Sequence, residues 1–143
     1  MQYALRSLGR KMQTRRELLE KLLKRTSPEV AERVLGRLEE WGYLDDRQYA
    51  EAFVRSRRER WGPLRLRAEL ARRGVKDEII RAALEDATDE GQGALALLEK
   101  HTWRHKGERA RMVRFLQGRG YSLGAALDAA DEYARLHASE ENG

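Results

Sequence analysis

Residues 55–75 read RSRRERWGPLRLRAELARRGV, a run with eight arginines and two glutamates. Trp61-Gly62-Pro63 interrupts it near the middle. Glycine supplies the dihedrals that a sharp corner needs, and proline presets the first turn of a new helix. The stretch therefore reads as a helix ending near Trp61-Gly62, a corner, and a second helix that opens at Pro63 and stops at Gly74. The same punctuation recurs along the chain. Strand signals are nearly absent, and strong helix formers dominate.

Working outward, the signals predict about nine short helices. The first covers roughly Tyr3 to Lys11. The second follows Thr14, with Glu17 completing a capping box, and carries Leu18, Leu19, Leu22 and Leu23. The third starts at Ser27-Pro28-Glu29, carries the stripe Val30, Val34, Leu35, Leu38 and Trp41, and stops at Gly42. Asp45 or Asp46 caps the fourth, with Tyr49, Ala50, Phe53 and Val54 inward. The fifth starts at Pro63, and the sixth at Asp77 with Ile79, Ile80, Ala83 and Leu84. The acidic stretch EDATDEGQG (85–93) reads as a linker. A seventh helix covers about Ala94 to His105. An eighth carries Met112, Val113, Phe115 and Leu116. A ninth follows Ser122, with Leu123, Ala126, Leu127, Ala130 and Tyr133. The last residues read as a frayed tail.

These helices group in threes. Leu22, Leu70 and Leu116 occupy matching places, spaced by 48 and 46 residues, and Arg25, Arg73 and Arg119 follow three residues later. Each is followed by a short turn and a new helix, in the manner of a helix-turn-helix. The expected fold is all-α: an elongated array of three tandem three-helix, helix-turn-helix-like repeats. Their expected bounds are 1–44, 45–88 and 89–137, with a disordered tail at 138–143. Each repeat buries little apolar surface alone, so stacking should support it.

The composition fits narrow buried stripes. Of 143 residues, 41% are apolar and 37% charged, and the apolar ones recur at helical spacing. The absence of cysteine excludes disulfides, thiol nucleophiles and cysteine-rich zinc sites. No apolar run approaches the roughly 20 residues of a membrane span, and no signal peptide is legible, so a cytoplasmic protein is the default. Charge is uneven. Residues 1–81 carry 21 basic and 13 acidic side chains, a net of +8, whereas 82–143 carry 8 and 11, a net of −3. A basic half points to nucleic acid or an acidic protein surface, against the plainer alternative of solvated helix faces laced with ion pairs.

No catalytic constellation is legible, and no cofactor is called for. Carboxylates lie among arginines that lower their pKa values. Gly91-Gln92-Gly93 lacks the lysine and strand of a phosphate loop. His101 and His105 are spaced to share a metal, with Glu108 or His137 as a conceivable third ligand. Their cationic neighbours favour two solvent-facing histidines and no metal site. The arginine surface is the better candidate. Arg55, Arg57, Arg58 and Arg60 close one helix, Arg65, Arg67, Arg72 and Arg73 lie on the next, and Trp61 stands between them. Arginine's planar fork suits phosphate and carboxylate. Trp61 is placed to stack on a base or, the favoured reading, to wedge the corner. Glu69 is placed to pair with Arg65, Arg72 and Arg73. A second basic cluster, WRHKGERARMVR (103–114), adds Arg104, Lys106, Arg109 and Arg111.

The order ALRSLGRKMQTRRELLEKLLKR and then VLGRLEEWGYLDDRQYAEAFVRSRRERWGPLRLRAELARRGV resembles the bacterial RecX regulators over about residues 4–130. The specific part is Leu44-Asp45-Asp46, Tyr49-Ala50, the Gly62-Pro63 corner with Arg65, and Glu69-Leu70 with Arg73-Gly74-Val75. FLQGRGYS matches more loosely, and Thr26 stands where the first repeat of the family often has glycine. The resemblance implies a non-enzymatic modulator of the RecA recombinase. Such a protein lies in the groove of the RecA–single-stranded DNA filament, slows ATP hydrolysis and strand exchange, and blocks filament extension or promotes disassembly. It implies RecA and single-stranded DNA as partners, with duplex DNA a weaker one, and a monomer. The alternative is an independent helix-turn-helix DNA binder, which the scarcity of Asn and Gln on the candidate helices disfavours.

Overall fold

The computed structural model describes residues 1–85 and 90–141, with side chains described to Ala138. Within them the chain is all-helical: α1 (Gln2–Arg10), α2 (Arg15–Leu23), α3 (Pro28–Glu40), α4 (Asp46–Arg57), α5 (Pro63–Arg72), α6 (Asp77–Glu85), α7 (Glu90–Lys100), α8 (Thr102–His105), α9 (Arg109–Gly118) and α10 (Leu123–Glu141). The expected linker falls partly on 86–89, outside the described residues. Its last four residues, Glu90 to Gly93, already belong to α7. α10 continues to Glu141, past the point where a tail was expected.

The helix starts follow their side-chain chemistry. Thr14 accepts from the Glu17 N–H at 3.1 Å, and the Glu17 carboxylate accepts from the Thr14 N–H at 3.0 Å. Ser27 accepts from Val30 N at 3.3 Å, with Pro28 in the first turn. Asp45 caps α4, accepting from Arg47 N at 2.9 Å and Gln48 N at 3.3 Å. Asp46 has a different task. Its Oδ1 accepts the backbone N–H of Arg15 at 2.9 Å, an orphan donor in the first turn of α2.

Burial holds the Asp46 carboxyl above its ordinary range, with Glu39 and Asp45 adding repulsion and the Arg15 N–H opposing it. A raised acid binds its proton more readily folded than unfolded, so stability falls as pH rises through its titration. Asp46→Asn keeps the acceptor and should match or exceed wild-type stability at pH 7, with that pH dependence flattened. Asp46→Ala strands the Arg15 N–H and should cost about 1–2 kcal/mol. Urea unfolding of wild type and both variants from pH 4 to pH 7 checks this.

The chain divides into two compact units, 1–53 with 69–83 and 54–68 with 84–143. The division falls within α4, α5 and α6, so the units cut across the expected repeats. In the first unit, Ala4, Leu18, Leu22, Ala31, Leu35, Leu38 and Leu44 form a buried cluster. In the second, α10 packs on α7 and α9. Ala126, Ala129 and Ala130 let the helices approach around Ala94, Leu97, Leu98, Met112 and Leu116.

One docking motif occurs once in each unit. In the first, the Thr14 hydroxyl donates to the Arg73 carbonyl at 2.6 Å. In the second, Gly62 N–H donates to the Arg119 carbonyl at 2.7 Å. Thr14 and Gly62 are 48 residues apart, and Arg73 and Arg119 are 46 apart, the spacings of the leucine repeat. The glycine after each carbonyl is left-handed. Gly74 (φ +86°) sits against Arg16, and Gly120 (φ +101°) against Arg65. The turn at Thr26 has no left-handed residue, and the Arg25 and Thr26 N–H groups both reach the Leu22 carbonyl at 2.9 Å.

Candidate nucleic-acid and partner interface

The Trp61 corner belongs to the second unit. Leu64 N–H donates to the Gly120 carbonyl at 2.9 Å, beside the Gly62–Arg119 bond, and Arg119 Nη1 donates to the Arg60 carbonyl at 3.4 Å. Two glycine turns meet backbone to backbone, and this fixes the directions of α4's last turn and α5's first. Arg65 lays its guanidinium over the half-buried Trp61 ring at 4.1 Å from the centroid, and Arg57 and Arg60 each stand 5.9 Å from it. Arg57 Nη1 also donates to Ser56 Oγ at 2.9 Å. Trp61 thus gathers cations, its negative ring face offsetting part of their mutual repulsion. Arg55, Arg58 and Arg67 are exposed and carry no ion pair among the described residues.

The other predicted arginines have more internal work. In the first unit, Arg73 is partly buried. It donates to the Glu69 carboxylate at 2.8 Å and the Glu69 carbonyl at 2.9 Å, and lies 4.8 Å over Phe53. Its role is to lock the end of α5. Arg72 is exposed and reaches Glu69 at 3.4 Å. In the second unit, Arg109 pairs with Asp131 at 3.0 Å, which raises its pKa, and Arg111 pairs with Glu108 at 3.0 Å. Arg104 and Lys106 point to solvent.

Two features of this region escaped the sequence. The single helix expected over 94–105 breaks at His101 (φ −124°, ψ 36°), giving α7 and the four-residue α8. His105, expected at the surface, is fully buried. Its Nδ1 accepts from Gly107 N–H at 2.9 Å, which places the proton on Nε2, and that nitrogen donates to the Leu98 carbonyl at 2.7 Å. Tyr133 packs against the ring edge-on at 5.1 Å. Both nitrogens are engaged, and no cluster of three or more metal-ligating side chains occurs among the described residues. His105 bolts the turn after α8, including the left-handed Lys106 (φ 52°), onto α7. His105→Ala should cost about 2–4 kcal/mol, through a cavity and two stranded backbone groups, lowering the melting temperature accordingly.

A model of the first three-helix domain of RecX matches residues 1–38, and one of the second three-helix domain matches 45–84. The chain belongs to the RecX family. It is 51% identical over 127 residues to the regulatory protein RecX of Thermus thermophilus, covering 89% of this chain and 87% of that one. It is 44% identical to the RecX of Halorhodospira halophila, over 90% of this chain and 86% of that one. For the RecX of Deinococcus radiodurans the identity is 37%, over 97% and 70%. The crystal structure of RecX from Lactobacillus salivarius shares the fold, with TM-score 0.82, 24% identity and 92% of both chains covered. A second crystal structure of a regulatory protein RecX gives TM-score 0.75 at 27% identity, over 89% of this chain and 68% of that one. Residues 85–143 lie outside both matched domain ranges. No helix among the described residues is long and apolar enough to cross a membrane.

Proposed function

We propose that this chain is a non-enzymatic regulator that binds the RecA–single-stranded DNA filament and lowers its ATP hydrolysis, strand exchange and extension. In this reading it acts in the cytoplasm as a monomer built from three-helix repeats at 1–44, 45–88 and 89–137. Membership of a family whose relatives are named regulatory proteins supports a regulator. The observation that carries the reading is the convergence of Arg57, Arg60 and Arg65 on Trp61, with Arg55, Arg58 and Arg67 exposed on α4, the turn after it and α5. Crowded like charges on a rigid corner are stabilised by an anionic partner, and a RecA filament offers both phosphates and acidic side chains.

Co-sedimentation with RecA filaments assembled on single-stranded DNA tests the proposal. The chain should pellet with the filament and remain in the supernatant with RecA alone. Failure to pellet, together with sequence-selective binding of duplex DNA, would replace this reading with an independent helix-turn-helix regulator.

A further inference from the structure

A second concentration of positive charge lies wholly in the second compact unit, on α8 and α9. Arg104, Arg111, Arg114 and Arg119, with Phe115 and Gly118, line a solvent-open concavity of about 430 Å³. Sites for small ligands span ~300–1,000 Å³. Arg114 closes the basic cluster 103–114, and Arg119 entered the sequence reading only as a repeat position. Glu108, which holds Arg111 at 3.0 Å, is the one carboxylate paired with a lining arginine among the described residues. Arg119 lies 5.0 Å over the Phe115 ring, and Arg104 is 5.9 Å from it. Arg104 also reaches over Trp103 at 5.4 Å. Trp103 is 70% exposed, the most exposed large apolar side chain of the described residues. The short helix that carries it is pinned by His105 through the Leu98 and Gly107 bonds. An indole held on a fixed turn beside a cationic cup is a platform facing outward.

We infer that this concavity is a single-stranded nucleic acid site, with the arginines holding successive phosphates and Trp103 stacking on an unpaired base. Charge alone would suit any polyanion. The exposed indole favours a strand with free bases, because each nucleotide brings both a phosphate for the guanidiniums and a flat base for the ring, whereas a plain polyacid such as polyglutamate has no ring to stack. A duplex keeps its base faces stacked inside and offers none to Trp103. The inference deepens the filament reading and rests on it for the source of the strand, but the binding itself requires no recombinase.

The test is fluorescence anisotropy of a labelled oligothymidylate titrated with this chain, without RecA, over a range of salt. Arg104→Glu with Arg114→Glu should weaken binding tenfold or more. It should also flatten the plot of log affinity against log salt by roughly 1–1.5, at ~0.7 for each phosphate no longer neutralised. Trp103→Ala should cost about tenfold, and Trp103→Phe less than about threefold. Arg33→Glu with Arg37→Glu, exposed on α3 in the other unit, makes the same net charge change and should cost less than about threefold. The inference is overturned if the α3 pair weakens binding as much as the α8–α9 pair, or if the α8–α9 pair binds like wild type. It is also overturned if polyglutamate competes as well as unlabelled oligothymidylate, which would make the concavity a dock for an acidic protein. If the strand binds through this site but RecA's ATP hydrolysis is untouched, the filament reading fails and the site stands. If RecA is inhibited while the α8–α9 pair binds the strand like wild type, the site fails and the filament reading stands.

Discussion

Gly120→Ala is expected to destabilise the chain by about 3–5 kcal/mol and to lower its melting temperature by roughly 10–20 °C. Two effects add. Gly120 has φ +101°, and holding a side-chain-bearing residue there costs about 1–3 kcal/mol. The new Cβ would also lie 2.4 Å from Arg65 Cβ, 2.8 Å from Arg65 N and 3.1 Å from Arg65 Cα. Two of these are backbone atoms at the start of α5, so no rotamer change relieves the clash. The turn must withdraw, straining the bonds from Gly62 N to Arg119 O and from Leu64 N to Gly120 O. Gly118→Ala is the control. It is helical, its Cβ would meet nothing within 4 Å, and it should be neutral or stabilising by up to about 1 kcal/mol. Urea unfolding of the three proteins decides the matter. A Gly120→Ala protein as stable as wild type would mean that the two glycine turns do not interlock.

Arg58→Glu combined with Arg67→Glu should raise the concentration needed for half-inhibition of RecA by about tenfold or more, with helical content unchanged. Both side chains are exposed and carry no ion pair among the described residues. Reversing them therefore removes little internal stabilisation, within about 0.5 kcal/mol each. The local charge changes by four units beside Arg57, Arg60 and Arg65, enough to turn attraction for phosphate or carboxylate toward repulsion. Circular dichroism and a titration of RecA's ATP hydrolysis measure the two halves of this expectation. Inhibition equal to wild type would remove this face from the interface.

The features legible in the sequence were those that a few neighbouring residues determine. Thr14 with Glu17 and Ser27 with Pro28 each act within one turn of helix, and both appear as read. At Trp61-Gly62-Pro63 the corner and the start of α5 appear, but α4 ends earlier, at Arg57, and Gly62 is not left-handed: its missing side chain makes room for the Gly120 carbonyl, 2.6 Å from where a Cβ would sit. The register of the repeat was legible because leucines recur at matching places, with a turn glycine following the second and the third. What escaped depends on distant partners. Asp45 and Asp46 are equivalent as capping residues until Arg15, some thirty positions earlier, presents its N–H to Asp46. His105 looked exposed because its sequence neighbours are Arg104 and Lys106. Its burial follows from a helix break at His101 that no glycine or proline announces. Arg73 belongs to the arginine run by composition, but Glu69 and Phe53 hold it inside the first unit. Arg119 looked like a repeat position. It joins Arg104 and Arg114 only because α8 folds back along α9.

The decisive measurement follows ATP hydrolysis by RecA on single-stranded DNA while this chain is added below stoichiometry. The rate should fall clearly at substoichiometric amounts, since a regulator that blocks extension or promotes disassembly acts on many RecA subunits for each copy bound. An unchanged rate, even with this chain in excess, would contradict the filament reading.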